Sequence, residues 1–374
     1  MRIAMITNNY TPYSGGVVSS LKAIVPELQA AGHDVVIITL DFNNDHTDDP
    51  CYVIRLKSCL TFMYKNNHMA LPWRTTKQLY TILKQFNPDI VHVHHPFLLG
   101  VAALRVARAL SKKVVFTYHT LYDAYAHYVP MIPQGLTQKC INLLVTSFCN
   151  KVDGIIVPTQ GVKKFLPEPA DKKCAVIPSP LQGDLSMSSF LPKAHNDTFH
   201  LLTVGRMVPE KNVSWLLDMF KGLDKSNVIF TLVGYGSSYE KLRSYAYEVL
   251  SLSSERVRFV HKPLKEHLVT YYQQADLFVF ASQTDTQGLV LAESMAFSTP
   301  VIALDGIGQR DIIKNGHNGF IVDSADEMRH CIAKLARCKT THTTLQMGAH
   351  CTSLNYQPAL LSRQIIDFYA RVLS

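Results

Sequence analysis

The feature that most constrains this chain is an alternation of apolar strand, loop and amphipathic helix that runs twice. "RIAMIT" is a short apolar run and "PYSGG" breaks it. "VVSSLKAIVPELQAAG" then repeats at helical spacing up to Gly32, and "HDVVIITL" is a second strand. "DIVHVHH", "FLLGVAALRVARALS" and "KKVVFTYH" repeat the pattern, and "GIIVPT" and "CAVIPSP" follow around a helix over 161–166. Strands joined by helices lie parallel, and a parallel sheet needs cover on both faces. Near residue 190 the polar stretch "SSFLPKAHNDTFH" interrupts, and a second series starts with "LLTVG", "VSWLLDMFKGL" and "VIFTLVG" and continues to "GFIV". The spacing predicts two doubly wound α/β domains, over residues 1–190 and 191–355. An amphipathic helix over 356–374 ("PALLSRQIIDFYARVL") lies outside the alternation. The length of 374 residues has room for two such cores.

Composition narrows the function classes. No apolar run approaches the roughly 20 residues of a spanning helix, and "MRIAMITNNY" turns polar without the pattern of a leader. Eight scattered Cys without a CxxC pair fit reduced thiols and a cytoplasmic setting. The net charge of +8 is uneven: residues 1–190 carry 18 Lys/Arg against 12 Asp/Glu, residues 191–374 carry 19 against 17. The near-neutral second half argues against a nucleic-acid partner. The basic first half suits an anionic partner such as a lipid surface, as does "RTTKQLYTILKQF" (74–86), which groups Leu79, Ile82, Leu83 and Phe86 on one face. Such a helix more often packs on its own sheet.

Ligands in open parallel sheets bind beyond the carboxyl ends of the strands, so the loops there carry the chemistry. In "VGRMVPEKN" a strand ending at Val204 is followed by Arg206 and Lys211 beside a helix start, a pattern suited to a diphosphate. In "SQTDTQGLVLAESMA" Gly288 opens a helix whose first amides, with those of Leu289 and Val290, face outward and suit phosphate oxygens. Glu293, a turn further in, is placed for ribose hydroxyls, and Asp285, before the helix, for a sugar. The plain alternative is an Asp complementing a helix dipole and a solvated Glu.

These segments in this order, a glycine loop after the first strand, "GRMVPEKN", "VGYGS" and two carboxylates with seven residues between, resemble the retaining GT-B glycosyltransferases of family 4. "DIVHVHHPFLLG", "YHTLYDAYAHYVP" and "SQTDTQGLVLAESMA" are similar to bacterial diacylglycerol α-glucosyltransferases and related lipid glycosyltransferases. The resemblance implies a GT-B fold. Two Rossmann-like domains face a central cleft, acceptor-binding first and donor-binding second, and the C-terminal helix returns toward the first domain. It implies a sugar nucleotide as donor substrate, no cofactor and no catalytic metal. Arg206 and Lys211 then bind the diphosphate, Glu293 the ribose, and Gly288, Leu289 and Val290 phosphate and sugar. Gly16 lies close to the phosphates and His119 points at the transferred sugar. The first carboxylate of the family is usually Glu, and here it is Asp285. The implied reaction is hexose transfer from UDP-glucose to a lipid such as diacylglycerol, by a protein peripheral on the inner face of a membrane. Alternatives are a phosphatidylinositol-type lipid, a polysaccharide precursor or a small metabolite as acceptor, GDP-mannose as donor, or a nucleotide-sugar-binding protein without turnover.

"YHTLYDAYAHY" offers Tyr122, Asp123, Tyr125 and His127 as acceptor contacts, against an aromatic loop that merely packs. "HVHH" (His92, His94, His95) suggests zinc, but no fourth ligand is apparent and a polar strand end explains it better.

Overall fold

The computed structural model describes every residue except 13–14, 43–48, 65–66, 123–133, 186–188, 191–192, 194–196 and 224–226. It divides into two compact units, Met1–Gln182 with Pro358–Ser374, and Gly183–Gln357.

In the first unit the chain forms β1 (Arg2–Ile6), β2 (Asp34–Leu40) and β3 (Val53–Leu56), then a hairpin of β4 (Ser58–Tyr64) and β5 (Asn67–Pro72). It returns as β6 (Ile90–Val93), β7 (Lys113–Thr117), β8 (Gly154–Val157) and β9 (Cys174–Val176). Seven of these make one parallel sheet in the order β3-β2-β1-β6-β7-β8-β9; β4 and β5 pair only with each other, antiparallel. Ile3 to Ile6 are fully buried, because helices cover both faces of a central parallel strand. The core joins Ile3, Met5, Leu21, Val25 and Leu28 to Leu361, Ile365, Phe368 and Tyr369 of the C-terminal helix Pro358–Leu373. That helix packs on the first helix, Gly16–Ala30.

The helix over 74–86 packs on protein, the commoner of the two alternatives, though chiefly against a helix and not a sheet. The helix Thr75–Phe86 buries Leu79 and Leu83 completely and packs on the helix Leu99–Ala109, so its apolar face is not available to a membrane. The hairpin was not legible in the sequence, and it displays Leu60, Phe62 and Leu71, with Trp73 just beyond, all more than 40% exposed.

The second unit holds β10 (Phe199–Arg206), β11 (Val228–Tyr235), β12 (Val257–His261), β13 (Leu277–Phe280), β14 (Val301–Leu304) and β15 (Gly319–Val322). They form a parallel sheet in the order β12-β11-β10-β13-β14-β15. β10 continues past the expected end at Val204, pairing Gly205 with Gly234 and Arg206 with Tyr235. Both sheets wind outward from a central strand in two directions. β1 lies between β2 and β6, and β10 between β11 and β13. At such a switch point the loops leaving neighbouring strands diverge and open a crevice. The loops concerned follow β1 and β6 in one unit, and β10 and β13 in the other.

Candidate active site

The second unit's switch point gathers both loops singled out in the sequence. Arg206 ends β10 and is partly exposed. A 3-10 turn, Pro209–Lys211, then carries Lys211 back across the strand ends. Its Nζ meets both oxygens of Asp285, at 2.6 and 2.7 Å. The Lys211 side chain is 20% exposed and that of Asp285 12%, so this pair is far better shielded from solvent than a surface salt bridge. Ser282 Oγ lies 3.1 Å from Asp285 Oδ1 and donates also toward the Glu210 carbonyl at the same distance. The sequence predicts Lys211 and Asp285 at different parts of a ligand; the structure joins them in one ion pair.

Beyond Asp285, Gly288 caps the helix Leu289–Ala296 with φ +68°, a backbone state that a side chain disfavours. The amides at the helix start have no partner one turn earlier within the helix, and Leu289 and Val290 are partly exposed. Glu293 is only 9% exposed and accepts a 2.7 Å hydrogen bond at Oε2 from Tyr272. It is not a solvated surface Glu. Tyr272 is fully buried on the helix Lys265–Gln274 and stacked on Phe297, with 5.7 Å between ring centroids. Burial, then the Glu293 carboxylate, pushes its hydroxyl well above the usual tyrosine range, so it remains a donor and holds one carboxylate oxygen in place.

A third loop braces the site. Gly308 N–H donates to the Asp285 carbonyl at 3.1 Å, and Gln309, fully buried, donates through Nε2 to the carbonyls of Leu304 and Ser282. A Cβ at Gly308 would stand 2.7 Å from the Asp285 carbonyl oxygen. Tyr272, Gly308 and Gln309 were not legible because Tyr272–Glu293, Gly308–Asp285 and Gln309–Ser282 each lie more than 20 residues apart in the chain. Ser282, three residues before Asp285, carries no motif that singles it out. The close approach at Gly308 left only an unremarkable "GIGQ".

At the first unit's switch point Gly16 begins the helix Gly16–Ala30, with no atom within 4 Å of where a Cβ would lie. Opposite, the ends of β6 and β7 bring four histidines together. His92 Nδ1 meets Tyr369 Oη at 2.5 Å and its Nε2 meets Thr117 Oγ1 at 2.6 Å. His95 Nδ1 accepts from the Asn8 amide at 3.2 Å. His94 Nδ1 meets His119 Nε2 at 2.9 Å, the rings stacked 5.2 Å apart. Burial pushes His92 down to about 3 and His95 to about 4. Burial and the neighbouring histidines also lower His94 and His119. All four are neutral at physiological pH. Each ring has at least one nitrogen engaged by a protein partner, and among the described residues no three His, Cys, Asp or Glu side chains are grouped to hold a metal.

Of the acceptor candidates, Tyr122 packs edge-on against Phe97 and Tyr118, at 5.2 and 5.6 Å between centroids. Its buried hydroxyl has no hydrogen-bond partner among the described residues. Asp123, Tyr125 and His127 lie outside the described residues.

Comparison with known proteins bears on this arrangement directly. Residues 14–182 match the domain family described as Glycosyltransferase Family 4, and residues 190–347 match Glycosyl transferases group 1. The chain is 30% identical over 324 residues to an alpha-monoglucosyldiacylglycerol synthase of Streptococcus pneumoniae, covering 81% of this chain and 71% of the relative. It is 26% identical to the Acholeplasma laidlawii protein of the same name, covering 99% and 96%. Among solved structures, Anabaena Alr3699/HepE in complex with UDP-glucose superposes with a TM-score of 0.74 at 15% identity, covering 99% of this chain and all of the other. Two Rossmann-like sheets, a basic strand end facing a glycine-started helix, and these relatives lead to one conclusion: the chain is a GT-B glycosyltransferase belonging to family 4.

Proposed function

We propose that the protein moves glucose from UDP-glucose to a diacylglycerol-type lipid, with retention at the anomeric carbon and without a metal ion. The observation that carries this reading is the grouping of Arg206, Lys211, Asp285, Gly288 and Glu293 at one switch point, in a chain related along most of its length to alpha-monoglucosyldiacylglycerol synthases. In this reading the diphosphate lies against Arg206, Lys211 and the amides of Gly288, Leu289 and Val290. Glu293, with one oxygen held by Tyr272, receives the ribose hydroxyls. Charge on the leaving diphosphate grows as its bond to the anomeric carbon breaks, so fixed cations stabilise the transition state more than the ground state. The acceptor oxygen attacks from the face the diphosphate leaves, and a diphosphate oxygen takes the acceptor proton. No protein nucleophile is needed. Lys211 must share itself between Asp285 and the diphosphate, which ties donor binding to a rearrangement of the ion pair.

Charge and exposed apolar surface support a lipid acceptor. Residues 50–152 hold 12 Lys/Arg and only 2 Asp/Glu, whereas the rest of the chain holds 25 against 27. The hairpin in this stretch presents Leu60, Phe62, Leu71 and Trp73, a mixture of basic and apolar surface suited to an anionic bilayer on the cytoplasmic side. Among the described residues no helix is long and apolar enough to cross a membrane. The test offers UDP-glucose, UDP-galactose, UDP-N-acetylglucosamine and GDP-mannose separately with diacylglycerol liposomes, with products read by mass spectrometry. A glucolipid from UDP-glucose alone is expected, and Lys211→Ala should lower turnover roughly 100- to 1,000-fold, as for loss of one donor to a developing anion. Donor hydrolysis without glycolipid would discard the lipid acceptor. Nucleotide binding without turnover would favour a binding protein.

A further inference from the structure

The four-histidine cluster contains a detail that the reaction scheme leaves unused. His94 is 1% exposed, its amide donates to the Ile6 carbonyl at 2.9 Å, and its Nδ1 lies 2.9 Å from His119 Nε2. Its other nitrogen, Nε2, is buried and has no hydrogen-bond partner among the described residues. A hydrogen bond between two neutral imidazoles needs one N–H and one bare nitrogen. If His119 were the donor, His94 would carry its own proton on Nε2 as a buried N–H with no acceptor. If His94 is the donor, its Nε2 is only an unused lone pair. Orphaned buried N–H groups are the rarer and costlier of the two.

We propose that His94 is a positioning residue that donates its Nδ1–H to His119 Nε2 and so locks His119 with its proton on Nδ1. His119 Nε2 is thereby an acceptor already engaged by His94, and His119 is not a general base. The consequence for catalysis rests on the function proposed above; the proton assignment does not. It also agrees with a mechanism in which the diphosphate, not a histidine, takes the acceptor proton.

The test is long-range proton–nitrogen NMR on the full chain with 15N-labelled histidine, the His119 signals identified with His119→Gln. The wild type should show His119 Nε2 bare and Nδ1 protonated. His94→Asn places an amide N–H where Nδ1 stood and should preserve that state. His94→Leu removes the donor and should release His119 to a mixture. His94→Asp places an acceptor there, should move the proton to Nε2, and serves if the leucine variant fails to fold. In the transfer assay His94→Leu should lower kcat about 10- to 100-fold with KM for the donor little changed, the size seen when a partner orienting an imidazole is lost. His94→Asn should recover most of it. A wild-type His119 protonated on Nε2, or one tautomer throughout the series, overturns the proposal. If the tautomers follow the series and no sugar nucleotide is consumed, the pairing stands and the proposed function falls.

Discussion

His92, His94, His95 and His119 meet where β6 and β7 end, and their neutrality has a consequence for stability. In the unfolded chain each titrates near 6.5; in the folded chain His92 titrates at about 3 and His95 at about 4, because burial disfavours the charged ring. Below 6.5 the unfolded state therefore binds protons that the folded state refuses. Stability is fully present above that pH and lost as pH falls toward the folded values, at up to about 1.4 kcal/mol per pH unit for each histidine. Urea unfolding at pH 7.5, 6.0 and 5.0 should show a midpoint that drops steeply below 6.5, and less steeply in His92→Asn. An unchanged midpoint across that range would contradict the assignment. "HVHH" was visible in the sequence. Its meaning was not, because Tyr369 lies 277 residues from His92.

At the scale of elements, the loop over 282–288 is held by close backbone approaches as much as by side chains. Gly308→Ala would drive a Cβ into the Asp285 carbonyl and Gln287, all within 2.8 Å, and so displace Asp285 from Lys211. Gly135→Ala, with no atom within 4 Å of the new Cβ, is the matching control. The first should destabilise the protein by about 1–3 kcal/mol, as overpacking does, and raise KM for the sugar nucleotide; the second, a Gly→Ala change inside a helix, should leave KM unchanged and stabilise by at most about 1 kcal/mol. Equal effects in melting and donor titration would refute the argument. The helix Leu289–Ala296 and its Gly288 start were legible, because glycine before an apolar helical run is a local signal. The Gly308 brace was not, because it comes from a loop after the next strand.

At the scale of the whole molecule, the chain leaves its first unit at residue 182 and re-enters it at 358. The last helix fills the first core with Leu361, Ile365, Phe368 and Tyr369. Phe368→Ala should cost about 3–5 kcal/mol, the usual range for deleting a buried aromatic ring. Calorimetry should show that loss in the first unit's transition alone, and a shift in the second unit's transition would be the wrong result. Two alternating α/β halves, their parallel sheets, a basic turn at 204–212 and a glycine-started helix at 288 were legible in the amino-acid order. Each follows from periodicity, glycine placement and charge within a few residues. The tertiary structure was needed to show what covers the apolar face of the helix 75–86, that Lys211 and Asp285 form one ion pair, that Tyr272 holds Glu293, and that His94 sits on His119. Those facts depend on which strand lies beside which, and contacts between residues tens to hundreds of positions apart leave no local mark in a single sequence.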